Sequence, residues 1–89
     1  MGDYMEEIAV GKVIKFFSRI GVAAIRVTNG ELKVGDVIKI KGHATDFEQT
    51  IESLQVEHET VERVESGKDV GIKVKEPVKE NDTVYLLRQ

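Results

Sequence analysis

Two histidines and an aspartate, His43, His58 and Asp46, are the residue types of a facial metal site made from two imidazoles and one carboxylate. Their spacing argues against that chemistry. The segment between them reads as extended, and at about 3.3 Å per residue it holds the ligands tens of ångströms apart unless it coils sharply. Gly-Lys occurs at Gly11-Lys12 and Gly67-Lys68, but neither pair has a glycine five residues upstream or a Ser or Thr after it. A phosphate-cradling P-loop is therefore excluded, and with it nucleotide hydrolysis by this chain alone. There is no Cys to act as nucleophile or thiolate ligand, and no Gly-x-Ser-x-Gly elbow. The carboxylates crowded between Glu57 and Glu65 read as a solvated face. The expectation is a chain that is not an enzyme, with no cofactor and no metal.

What remains is binding chemistry, and charge is its first clue. The net charge of −3 is unevenly spread. Lys12 to Lys41 holds seven cations against two anions, a balance of +5, whereas Asp46 to Gln89 balances at −5. A solvated surface with chance segregation accounts for this. So does a basic face of Lys12, Lys15, Arg19, Arg26 and Lys33 that meets a phosphate backbone while the acidic half limits non-specific sticking. Around Lys41 to Gln49 two readings also stand. Thr45 and Asp46 close a turn on backbone amides while Phe47 plugs one end of the core, or His43, Thr45, Asp46 and Gln49 form a polar recognition patch at a rim.

These residues need a scaffold, and 89 residues make one domain near the lower size at which a single core folds unaided. Composition is adequate, with 40% apolar and 33% charged residues. The lack of Cys suits a reducing compartment, and apolar runs of five residues or fewer fall far short of the roughly 20 of a membrane span. The acidic start at Met1 to Glu7 is no signal peptide, so cytoplasm is the expected location, with residues 1–5 a flexible tail. Many Lys and Glu, one Pro and few Asn and Gln fit a heat-adapted source.

The scaffold reads as all-β. Period-two alternation marks Glu6 to Phe17, with a bulge or close backbone approach at Gly11, then Gly21 to Val27, Val37 to Lys41 and Asp69 to Lys75. Asn29-Gly30, Gly35-Asp36, Ser66-Gly67 and Asn81-Asp82 are turn signals. Phe47 to His58 reads as one long strand whose apolar phase switches between Ile51 and Leu54, which a bulge near Glu52 or Ser53 reconciles. Val61 and Val64 suggest a loop or one helical turn. Turn chemistry every 8 to 12 residues predicts a small closed antiparallel β-barrel of about six strands, closed because open edges on so small a sheet invite aggregation.

From Ile8 to Leu87 the chain resembles small stand-alone proteins described as translation elongation factor-like, and so the second, β-barrel domain of elongation factor Tu. The carrying motifs are Val10-Gly11-Lys12-Val13, Gly21-Val22-Ala23, Glu31-Leu32-Lys33-Val34-Gly35-Asp36, Lys41-Gly42-His43, Thr45-Asp46-Phe47, Glu52-Ser53-Leu54-Gln55, Glu57-His58 and Asp69-Val70-Gly71-Ile72-Lys73-Val74. Ala44 stands where that family usually has Thr, and Asn81 where it has Gly. The resemblance implies a translation-factor barrel in a binding role, contacting tRNA or ribosomal RNA. A related barrel is appended to collagenase-like peptidases, which implies instead a protein-interaction module docking on a partner enzyme or translation factor. Of the five aromatics only Tyr4 and Phe17 are free of core duty, which lowers the expectation of base stacking.

Overall fold

The computed structural model describes residues 6–89, so the expected tail over residues 1–5, with Tyr4, lies outside them. Ten strands follow one another: β1 (Glu6–Phe17), β2 (Val22–Val27), β3 (Glu31–Lys33), β4 (Val37–Lys41), β5 (Asp46–Thr50), β6 (Leu54–Val56), β7 (Glu59–Val61), β8 (Arg63–Glu65), β9 (Asp69–Lys73) and β10 (Thr83–Arg88). All pairings are antiparallel, in an eight-stranded sheet of order β5-β4-β10-β1-β2-β9-β6-β7 and a two-stranded sheet of β3 and β8. No strand among the described residues joins β5 to β7, so the expected closed barrel of about six strands is corrected to an open ladder of more, shorter strands. Among the described residues no helix is long and apolar enough to cross a membrane.

The alternation expected from sequence places the core. Ala23, Ile25 and Val27 of β2, Ile38 and Ile40 of β4, and Val70 and Ile72 of β9 are buried, while Lys41, Asp69 and Lys73 point outward. β1 departs from a clean period of two. Its register shifts between Ala9 and Gly11 against β10, and again between Val13 and Lys15 against β2. Each extra residue flips the phase, so Val10 and Val13 are both buried and Ile14, expected inside, is only half-buried. A Cβ at Gly11 would lie 2.5 Å from the Arg26 carbonyl oxygen, which confirms the expected close approach there.

The expected long strand from Phe47 to His58 is two strands. Residues 51–53 carry the chain from β5, at one end of the sheet order, to β6, next to last at the other end. Four peptide steps span at most about 15 Å, so the sheet must curl until its ends nearly meet. Ile51 and Leu54 are both buried under that crossing, and the phase switch between them is a crossover and not a bulge. Val61 and Val64, expected in a loop or helical turn, lie in β7 and β8.

Candidate functional site

Of the five candidate cations, Lys12 and Arg26 are partners across β1 and β2, and Lys15 is partnered with Ala24 on the same pair of strands. All three side chains are exposed on the outer side. The second bulge produces this arrangement, because it returns Lys15 to the face of Lys12 despite their spacing of three. Arg26 is engaged: Nε donates to Asp69 Oδ1 at 2.9 Å and a terminal nitrogen donates to Oδ2 at 3.2 Å. That two-pronged bond, with the attraction of unlike charges, holds the Asp69 carboxyl below the usual carboxylate range and raises Arg26 further. Lys15 Nζ stands 5.2 Å from the centre of the Phe17 ring.

Arg19 sits in the turn joining β1 to β2, and Lys33 in β3 on the second sheet. There Lys33 is paired with Arg63, whose guanidinium lies near Glu65 (3.6 Å) and Glu31 (3.9 Å). The fold therefore groups Lys12, Lys15 and Arg26, and assigns Arg19 to a turn tip and Lys33 to a different sheet.

The rim candidates divide in the same way. His43 is exposed in the turn between β4 and β5, Thr45 is buried, and Asp46 is exposed opposite Lys41. The Thr45 carbonyl closes that turn by accepting from the Gly42 amide at 2.8 Å. Gln49 shares the inward side of β5 with Phe47 and reaches elsewhere. Its Nε2 donates to the Lys73 carbonyl at 2.8 Å, and its Oε1 accepts from the Lys75 amide at 2.9 Å. His58 lies far along the chain in the two-residue turn joining β6 to β7, where it and Glu57 both take positive φ, +69° and +51°. Among the described residues no three His, Cys, Asp or Glu side chains gather as a metal site.

Two adjoining grooves, of about 660 and 460 Å³, open beside Gln49 where the sheet fails to close. They share Ile20, Ser53 and Lys73 along their walls. Ile20 is 63% exposed and Phe17 42%, both at the β1–β2 turn. Sequence reasoning missed this seam because it brings residue 49 to residues 73–75, a juxtaposition with no local signature. The one available signal was Gln49 falling in phase with buried Phe47.

Comparison with known proteins fits this geometry into a wider group. The model of the family described as elongation factor Tu domain 2 matches residues 21–77. A collagenase of Porphyromonas gingivalis is 42% identical over 85 residues, which is 94% of this chain and 20% of that protein. An uncharacterized protease of Methanocaldococcus jannaschii is 38% identical over 84 residues, 93% of this chain and 20% of the protease. The chain thus spans about one fifth of the length of the curated relatives it matches. Two crystal structures of the C-terminal domain of a candidate U32 peptidase from Geobacillus thermoleovorans share the fold. One has a TM-score of 0.81 at 22% identity, covering 97% of this chain and 98% of that domain. The other, a selenomethionine variant, has a TM-score of 0.80 at 23% identity over 85% and 95%.

Proposed function

The chain belongs to the elongation factor Tu domain 2 family, and we propose that it is a non-catalytic accessory module that docks on the catalytic part of a peptidase. One observation carries this reading: the chain aligns over nearly its whole length with one fifth of a collagenase and of a protease. Its fold also coincides from end to end with an isolated C-terminal domain of a candidate U32 peptidase. The reaction, on this reading, belongs to the remaining four fifths of such proteins.

RNA, the other partner class the sequence suggests, has less behind it. None of the relatives above is described as binding tRNA or ribosomal RNA. Of the candidate cations grouped on the outer face, Arg26 is already held by Asp69, which leaves Lys12 and Lys15 of that group to meet phosphates. Two contacts give weak binding with a shallow salt dependence, a log–log slope of about −1.4 for a single strand.

The test mixes this chain with a U32-type peptidase truncated before its own C-terminal domain. We expect co-elution on size exclusion at tens of micromolar, unaffected by nuclease. Absence of a complex at that concentration defeats the accessory reading. Capture that disappears with nuclease restores RNA as the partner.

A further inference from the structure

Between β5 and the end of β9 the ladder is open, and a side chain fills the place of a neighbouring strand. The Gln49 carboxamide has the donor and acceptor of a peptide group, and it gives them to the Lys73 carbonyl and the Lys75 amide. A carbonyl and an amide two residues apart on one edge are what a strand offers to its next neighbour. A glutamine side chain reaches at most roughly 5 Å from its Cα, so adding the hydrogen bond lets the two main chains stand up to about 8–9 Å apart. That is close to the two strand spacings, about 9.6 Å, that one absent strand leaves.

The walls of this slot describe its occupant. Lys73 and Lys75 stand along one side, Glu48 and Glu52 along the other, so a segment of either charge finds a partner. Ile20, exposed where the two grooves adjoin, is the large apolar anchor, with half-buried Val22, Val37 and Val74 in the walls. A permanent interface buries more than about 1,000 Å² on each side around an apolar centre, and one exposed isoleucine with three half-buried valines beside mixed charges is a small start for it. Recognition through main-chain groups suits instead a partner of varied sequence. We propose that the seam binds an extended, unfolded polypeptide as an added strand, the substrate chain of the peptidase with which the domain works; this rests on the accessory reading above. On binding, the incoming N–H donates to the Lys73 carbonyl and the incoming C=O accepts from the Lys75 amide. Gln49 swings away, and on release it returns to satisfy the edge.

The experiment uses the 89-residue chain and labelled lactalbumin, either native or reduced and carboxymethylated so that it cannot fold, with binding read by fluorescence anisotropy. The unfolded probe binds at least tenfold more tightly than the native one. Gln49→Ala removes the internal competitor and tightens binding about threefold or more, and Ile20→Asp weakens it fivefold or more. Hydrogen exchange at the Lys75 amide quickens in Gln49→Ala and slows again under the unfolded probe. Equal binding of both probes, or of neither, overturns the proposal, as does weaker binding by a folded Gln49→Ala. Should that variant not fold, Ile20→Asp and exchange at Lys75 in the wild-type chain decide. A truncated peptidase that co-elutes and itself protects Lys75 makes the seam a fixed interface and also overturns it. Co-elution without any binding of the unfolded probe removes this proposal and leaves the accessory reading standing.

Discussion

Asp36 and Asp82 occupy equivalent positions in two turns of the same construction. The Lys33 amide donates to the Asp36 carboxylate at 2.8 Å, and the Asp36 amide donates to the Lys33 carbonyl at 3.1 Å. Lys79 and Asp82 repeat both bonds at 2.9 and 3.1 Å. The residue before each aspartate has positive φ, Gly35 at +97° and Asn81 at +74°. Each turn is then clasped by a buried β-branched residue through two backbone bonds, Ile51 at Gly35 and Asp36, and Val13 at Asn81 and Asp82. The strands launched, β4 and β10, lie side by side.

The aspartates should therefore matter unequally. Asp82 is 5% exposed and Asp36 is half-buried, so removing the carboxylate strands the Lys79 amide more completely than the Lys33 amide. Urea unfolding should show a loss of about 2 kcal/mol for Asp82→Ala and about 1 kcal/mol for Asp36→Ala. Gly35→Val, which forces a β-branched side chain into the left-handed region, should lose about 1–3 kcal/mol. Equal losses for the two aspartates would contradict this account.

At Gly11 the obstacle is backbone and cannot swing aside. Gly11→Ala drives its methyl against the Arg26 carbonyl, and the two central strands must separate or shear. The expected loss is about 2–3 kcal/mol by thermal or urea unfolding. A melting temperature within a degree of wild type would show that the strands part freely.

The β6–β7 turn offers a gain. Glu57 and His58 both hold left-handed backbone, the geometry of a two-residue hairpin turn that favours Asn-Gly. Glu57→Asn with His58→Gly should raise stability by about 1 kcal/mol, read as a higher urea midpoint at unchanged slope.

Asp69 gives a signature in pH. Its folded carboxyl titrates below the unfolded value, about 3.9, so its contribution is present above that pH and lost as pH falls through the lower folded value. Both partners are more than half exposed, and water and salt reduce the benefit to a small one. Asp69→Asn should melt slightly below wild type at pH 7 and 5, and the gap should close by about pH 2. A gap that persists at pH 2 would assign it to packing.

How much of this was legible depended on range along the chain. Val37–Lys41 and Val22–Val27 carry their own alternation, and both appear within a residue of expectation. β3, β7 and β8 have three residues each, too few to repeat a period, and β3 pairs with β8 some thirty residues away. The break after Thr50 left a visible mark, the phase switch from Ile51 to Leu54, but a bulge and a crossover leave the same mark. At the candidate site, Lys12 and Lys15 share a face only through the second bulge in β1, and the Arg26–Asp69 pair spans 43 residues and has no local trace. The paired turns escaped notice because Lys33-Val34-Gly35-Asp36 and Lys79-Glu80-Asn81-Asp82 share only their outer residues.

The place of β10 sets the order in which the domain assembles. It is the last strand in the sequence, yet it lies in the interior of the sheet, hydrogen-bonded to β1 on one side and β4 on the other. While the chain emerges from a ribosome, those two strands face an empty slot and expose unpaired edges. The pairing that fills it joins opposite ends of the domain, a closure over long sequence separation that slows folding towards milliseconds to seconds. Completion of the sheet thus waits for Thr83–Arg88, and the interval before that strand docks is when the chain is most prone to pair with the wrong neighbour.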